Sequence, residues 1–528
     1  ALNATGGVSS YRIGDPLAPL IRGQAAGFPA NFTYHAQPRL TVLGQDGKTA
    51  LMIGGMSGAG VAGLVVDDKG RLGSFGQLFP ADKIGAKLSA SSQIVTEQGQ
   101  FLVSARADRL TIEVNRISPD GRLSPVSSVD LPQPQGVAEA SLDKIVMATV
   151  DGQHLLVAIS GLGNFVSTHA IGANGMLGAG HIHTAAEGTG YDVPSDFAVL
   201  QVAGRSFVVM AGNTSSSLSV FRLDKTGKLT ATDHVLDELT TRFQSVTALA
   251  TAVVDGRGYV IAGGADGGIS VFTLLPDGRL LHLQTIVDTN AMTLGRVSAI
   301  EAVVIAGKIV LLVTSARETG MTQLVIDPGG IGKTAMAGAG VAEGTDRDDL
   351  LVAASSTTQL RGGAGDDILV TGNANPVVTG NANGGLLGSS GSSGGSSKRD
   401  AKKDPGLVDT NLKTEGGSSD PRCIAPLVAL GLPLIPLALA QGLNIPGLDR
   451  AAKQAENAFD DATRRLNIPA DQAMAIGGGI AGVVAALLIT ATVRNCIPRP
   501  KSFDINVNVP QPQGVVTSAA PVVDTPTA

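Results

Sequence analysis

A β-propeller is the fold this sequence predicts, and three observations point to it. The chain of 528 residues holds 69 glycines and no tryptophan, with only 3% aromatic residues. Such a composition suits many tight turns joining strands of Val, Ile, Leu and Ala. The other two observations are turn patterns that recur in step along the first 330 or so residues.

The first pattern is a small turn ending in glycine that feeds an apolar strand. It occurs at Asp46-Gly47, Gln98-Gly99, Asp151-Gly152, Ala203-Gly204, Asp255-Gly256 and Ala306-Gly307, with successive spacings of 52, 53, 52, 52 and 51 residues. The second has the form Asp-x-Gly-x-Leu and turns at Gly70, Gly121, Gly175, Gly227, Gly278 and Gly330, with a looser copy around Gly14. Glycine supplies the positive φ a tight hairpin demands, and the flanking alternation, as in Ile269 to Leu274, suits strands. A period near 52 fits a four-stranded blade, and blades bury their faces by stacking about an axis. Seven copies of the second turn against six of the first predict an all-β propeller of seven blades over 1-330. The first blade is incomplete, its inner pair lying upstream of Ala1. A six-bladed ring, closed by Leu17 to Gly23 pairing with the last blade, is the alternative.

The segments SVFRLDKTGKLT and SVFTLLPDGRL resemble the repeating strand and turn of lactonase-like seven-bladed propellers of the 6-phosphogluconolactonase type. The resemblance covers about residues 1 to 330 and rests on residues that build blades. It implies fold rather than activity, since the family holds both enzymes and non-catalytic surface proteins.

A net charge of -6 without a long basic run excludes nucleic acid as the partner, because phosphate binding needs clustered Lys and Arg. Gly58 to Gly63 matches a dinucleotide fingerprint, but a strand follows where a helix is required. Asp327 to Thr334 approaches a phosphate-binding loop, yet Asp327 stands where the first glycine belongs and would repel phosphate. Of the seven histidines, His35, His154, His169, His181, His183, His234 and His282, only His181 and His183 are close enough to share a strand face, and no third metal ligand accompanies them. Arg106, Asp196, Arg242 and Arg296 are the residues a polar cluster at one mouth of the ring could use, although blade ends are polar in any case. No Gly-x-Ser-x-Gly elbow and no Ser, His and Asp set stands out, so the catalytic residues are unassigned.

Gly362 to Val370, GGAGDDILV, fits the calcium-binding nonapeptide GGxGxDxUx of a parallel β-roll. Its glycines let backbone carbonyls face a cation, Asp367 supplies a carboxylate, and Leu369 points into the roll. Eighteen residues earlier Gly344 to Val352 repeats it imperfectly, with Thr345 and Arg347 in place of two glycines. The candidate calcium ligands are therefore Gly344, Asp346, Asp348, Asp349, Gly362, Gly363, Gly365 and Asp367. The stretch AASSTTQLR between the copies does not read as a repeat. Residues 343-372 resemble a degenerate member of the RTX (hemolysin-type) calcium-binding family. The same residues also suit a roll that caps the propeller without metal.

Residues 373-421 read as a Gly/Ser-rich and then charged linker. Within a helical anchor region at 422-500, Ala473 to Val493 offers 21 uncharged residues, the length of a membrane span. Arg494, Arg499 and Lys501 at its far end place the propeller outside and the last residues in the cytoplasm. Ile424 to Ala440, broken by three prolines, reads as a peripheral element, with a second span as the alternative. Leu448 to Leu466 reads as an amphipathic helix, and 501-528 as a disordered tail. The run from Asp420 resembles the membrane anchor of corynebacterial surface proteins, an arrangement in which Cys423 and Cys496 could pair. The two resemblances imply different export routes, as in a mosaic or a fusion joined at the Gly/Ser stretch.

The expected function is that of a membrane-anchored surface or secreted propeller acting as a binding module. The alternative is a lactonase-type hydrolase acting on a cyclic ester, and a third reading makes the propeller a calcium-stabilised spacer. The expected partners are the membrane through residues 473-493 and an unidentified protein or small molecule at a propeller mouth.

Overall fold

The computed structural model describes residues 7–372 with short interruptions, together with 377–379, 387–388 and 505–508. The chain divides into two compact units, Ala1–Gly406 with Phe503–Ala528, and Leu407–Ser502. Of the linker read at 373-421, Val377–Thr379 and Leu387–Gly388 are instead strands that pair with the roll; its remaining residues, the amphipathic helix, the 473-493 span and both cysteines lie outside the described residues. Among the described residues, no helix is long and apolar enough to cross a membrane.

The first unit holds an all-β propeller of six four-stranded blades among the described residues, together with a roll described below. Blade 1 comprises Thr33–Gln45, Lys48–Ser57, Gly60–Val66 and Gly76–Pro80. Blade 2 runs from Leu88–Thr96 to Leu123–Asp130, blade 3 from Lys144–Val150 to Leu177–Thr184, blade 4 from Pro194–Val202 to Leu229–Leu236, and blade 5 from Ala248–Val254 to Leu280–Val287. Blade 6 has Val297–Ile305, Lys308–Ser315 and Thr322–Ile326, and its fourth place is taken by Ile505–Asn508. A separate two-stranded hairpin, Gly7–Arg12 with Ile21–Gly27, carries the loose first turn copy.

The first strand of each blade is innermost, and blades join through apolar cores shared with their neighbours. Val8 of the hairpin packs with Ile53 and Leu64 of blade 1, and Leu43 and Met52 of blade 1 pack with Leu88 and Leu102 of blade 2. The series continues through Phe101 with Leu156, Phe197 with Leu155, Phe207 with Phe272, and Tyr259 with Leu311. Among the described residues no such core joins blade 6 to the hairpin. There Gln323 reaches across, its Nε2 donating to the carbonyls of Pro16 at 2.9 Å and Ala18 at 3.1 Å.

Both repeated turns have a conformational cause. At Asp255 and Gly256 φ is +46° and +80°, the pair of positive values that a two-residue hairpin matched to strand twist requires. In the second pattern the glycine amide closes the turn, as from Gly227 to the Asp224 carbonyl at 3.0 Å. The last copy departs from this. Gly329 rather than Gly330 takes the positive φ, and Asp327 is drawn aside into an ion pair with Lys308. The chain then leaves the blade, because Ile331–Met336 pairs in parallel with Asp348–Val352.

That departure starts a roll of two parallel sheets. One sheet orders Ile331–Met336, Asp348–Val352, Ile368–Gly372 and Leu387–Gly388, and the other Gly340–Glu343, Thr357–Arg361 and Val377–Thr379. Leu350 faces Ile368 and Gln359 faces Val377, so one turn is eighteen residues. The stretch AASSTTQLR, read above as outside the repeat, contains Thr357–Arg361, a strand of the second sheet. Each turn carries two strands, so half of it has no Gly and Asp signature to read.

Replacing Gly256 with Val should lower stability by about 1–2 kcal/mol, since a β-branched residue is strained at left-handed φ. Gly330→Ala should be neutral, because its φ is ordinary and a Cβ there meets nothing within 4 Å. Denaturant unfolding of both variants checks this, and a costly Gly330→Ala would contradict the shifted turn.

Candidate functional site

In an antiparallel blade, the start of strand one, the end of two, the start of three and the end of four share one end of the ring. Arg106 ends the second strand of blade 2, and Asp196 stands near the start of the first strand of blade 4. Arg242 and Arg296 lie on the connections into blades 5 and 6. All four candidates therefore fall at the loop end, opposite the Xaa-Gly turns. They do not form one cluster.

Arg106 is engaged by Asp108 at 2.7 Å, and the guanidinium of Arg242 donates to the carbonyls of Leu239 and Thr241 in its own loop. Asp196 is a joint between blades. It accepts from Lys144 Nζ of blade 3 at 2.6 Å, from its neighbour's amide on Phe197 at 2.9 Å, and from the Leu249 amide of blade 5 at 2.9 Å. Lys144 also donates to the Phe197 carbonyl. Lys144 and Asp196 occupy the same place in successive blades, eight residues before the turn glycine. Arg296 is exposed.

Glu301, on the inner strand of blade 6, is the residue the composition of the loop end did not reveal. The residue is exposed as a whole, and partial desolvation of its carboxyl raises its pKa. Lys144 opposes the shift, while Asp196 adds to it. A carboxyl held protonated more readily than usual, near a lysine and an aspartate, can pass a proton to or from a bound molecule.

His181 is exposed, whereas His183 is buried, its ring 4.7 Å from that of Phe221 in an edge-on contact. The two do not make a ligand pair. Burial lowers the pKa of His169 and His183 and keeps both rings neutral. Among the described residues no group of three His, Cys, Asp or Glu side chains could hold a metal.

In the roll, Asp349 and Asp367 lie one turn apart and both are buried. Asp349 accepts from the amides of Lys333 at 2.5 Å and Thr345 at 2.6 Å, and from the Thr345 hydroxyl at 3.1 Å. Those hydrogens occupy the lone pairs a cation would need. Asp367 differs, since its Oδ1 accepts from the Asp349 amide at 2.9 Å while its buried Oδ2 has no partner. Burial raises the pKa of Asp367, and the charges of Asp349 and Asp348 add to it. A Cβ on Gly362 would strike Asp367 Oδ2, and Gly363 sits at φ +101°, so the turn closes over this oxygen only with glycine. One oxygen of Asp367 is thus left open, whereas both oxygens of Asp349 are taken within the chain. Of the other candidates, Asp348 Oδ1 accepts from the Asp366 amide at 2.7 Å, and Gly344 lies where a Cβ would meet the Gly362 carbonyl. Asp346 is exposed, and Gly365, at φ +109°, passes close to the Arg347 backbone.

The roll also packs on the opposite end of the ring, at blade 5. Leu350, Val352, Ile368 and Val370 pack on Leu275, in the last turn of blade 5, and the buried Arg257 donates to the Asp348 carbonyl at 2.5 Å. Lys333, the lysine of the phosphate-loop pattern, sends its amide to Asp349 and its Nζ to the Glu343 carbonyl, so that segment is part of the roll.

Neither a family profile nor a curated protein matches the chain. Solved structures are similar to part of the chain. A periplasmic gluconolactonase from Pseudomonas aeruginosa is 18% identical with a TM-score of 0.44, over 62% of this chain and 90% of its own. A protein from Lactobacillus plantarum is 18% identical with a TM-score of 0.42, over 62% and 89%. An α-L-arabinofuranosidase from Clostridium thermocellum is 14% identical with a TM-score of 0.32, over 47% and 93%. These likenesses carry no assignment of activity.

The buried neutral histidines set a pH dependence. Their folded pKa is below the unfolded value of about 6.5, so the unfolded chain binds protons first as pH falls. Their contribution is whole above pH 6.5 and is lost below it, and thermal melting should fall between pH 7.5 and 5.5. His183→Phe should reduce that fall, and an unchanged slope would contradict the assignment.

Proposed function

We propose that the chain is a membrane-tethered surface propeller that binds its ligand at the loop end of the ring. One observation carries this reading: the roll packs against the turn end at blade 5, whereas the loop end presents Leu239, 90% exposed, beside Arg242. A large apolar side chain held out next to a guanidinium is an anchor of the kind that binding surfaces use. In this reading the Gly7–Arg12 hairpin is the outer pair of a seventh blade, standing between blade 6 and blade 1. The tether is the linker and anchor region, with residues 473–493 in the membrane and the propeller outside.

Calcium belongs to the same proposal as a stabiliser of the roll. Asp367 would hold it with backbone carbonyls of the neighbouring turns, and the ion would neutralise a carboxylate that now lies buried. The resemblance to RTX repeats supports this through Gly362, Gly363, Gly365 and Asp367. With calcium, the melting temperature should rise and EDTA should reverse the gain, while Asp367→Asn should lose the response. A melting temperature indifferent to EDTA would remove calcium from the account.

A second reading, hydrolysis of a cyclic ester, is favoured by Glu301 alone, whose raised pKa suits a general acid or base. Screening the full chain against a panel of lactones separates the readings. No turnover, together with binding to a panel of surface glycans and peptides that Leu239→Glu and Arg242→Glu abolish, supports the binding module. Turnover that Glu301→Gln lowers by about 10²-fold or more, the usual scale for a lost acid or base, would replace it with a hydrolase.

A further inference from the structure

We infer that the C-terminal segment from Ile505 is a detached part of the propeller, and that residues after Val515 dock on the open face of blade 6. This inference is independent of what the loop end binds.

The hexapeptide Pro-Gln-Pro-Gln-Gly-Val occurs twice, at 132–137 and at 510–515. The first copy follows the fourth strand of blade 2, Leu123–Asp130, and begins the connection into blade 3. The second follows Ile505–Asn508 at the same interval, and that strand pairs antiparallel with Thr322–Ile326, with Leu324 facing Val507. Pairing and sequence thus give one answer by separate routes: 505–515 is the fourth strand of blade 6 and the connection that leaves it. The roll and all that follows it, 331–504, are inserted between the third and fourth strands of that blade.

In blade 2 the connection leads to an inner strand at Lys144, and the corresponding residue after the second copy is Val522. The face awaiting such a strand is visible. Ala248, Ala250 and Ala252 on the inner strand of blade 5 are buried at 2%, 8% and 7% under blade 6. Their counterparts one repeat later are Ala299, Glu301 and Val303, all exposed, with Val303 at 41%. This is also the junction at which no shared apolar core occurs among the described residues. Val522 and Val523 supply apolar side chains for it. Pro521 and Pro526 are tolerable because an innermost strand leaves one edge free, as Pro194 does in blade 4.

The assignment constrains the anchor. Residues 505–515 must lie on the propeller's side of any membrane, so the chain cannot cross once at 473–493 and end in the cytoplasm. With 473–493 in the membrane, as proposed above, the chain crosses twice, and 424–440 is the other span.

The test is cysteine accessibility in a chain with Cys423 and Cys496 replaced by serine. Val303→Cys should react with a maleimide about tenfold or more slowly in the full chain than in a chain ending at Asn508, as expected for a site reached through local opening. Val253→Cys, already 42% exposed, should react equally in both. Equal rates for Val303→Cys would overturn the docking. In the full chain, Val522→Asp with Val523→Asp should restore fast labelling at Val303→Cys. If they leave it slow, the strand assignment is wrong.

Discussion

The structure depends on one constraint: a four-stranded blade has two apolar faces and can bury neither alone. Each face must be covered by the next blade. Phe207, Phe221, Phe272 and Tyr259 are buried at 0–1% only because neighbours close over them. Polar side chains on inner strands then fix how blades meet. Gln93 exchanges hydrogen bonds with the Gly44 backbone, Gln201 reaches the Thr149 carbonyl, and Thr247 reaches that of Val297. Asp196 belongs to this set, since it spends its oxygens joining three successive blades. Its charge serves the ring before any ligand.

The roll obeys the same logic with a shorter unit. Each eighteen-residue turn sends Leu351 or Leu369 inward and Leu350 or Ile368 toward blade 5. Two buried aspartates at equivalent places have different fates. Thr345, standing where the repeat pattern has glycine, brings an amide and a hydroxyl to Asp349 and satisfies it within the chain. Asp367, framed by Gly362 and Gly363, keeps one oxygen without a donor. The two copies of the repeat thus differ in that one carboxylate closes a turn and the other keeps an oxygen without a donor.

The propeller was legible because its turns are local and recur at nearly fixed spacing. The six Xaa-Gly turns marked six blades, and the surplus copy of the other turn marked the hairpin. What escaped had physical reasons. The last turn copy looks regular in sequence, but Asp327 is held by Lys308 and the following strand finds a parallel partner in the roll. The fourth strand of blade 6 lies far along the chain, so a search at a period near 52 passes over it, although the repeated Pro-Gln-Pro-Gln-Gly-Val could have found it. Asp196 was legible as polar and at a blade end, but its partners come from blades 3 and 5. Glu301 was not legible, because its perturbation comes from residues on other strands.

Native-state hydrogen exchange across the blades tests the claim that each blade owes its stability to covered faces. In a chain ending at Asn508, without the segment that docks on blade 6, the account predicts the slowest exchange in the inner strands of blades 4 and 5, covered on both sides, and faster exchange in Val297–Ile305 of blade 6 and in the Gly7–Arg12 hairpin. Uniform protection across all blades, or the slowest exchange in the hairpin, would contradict it.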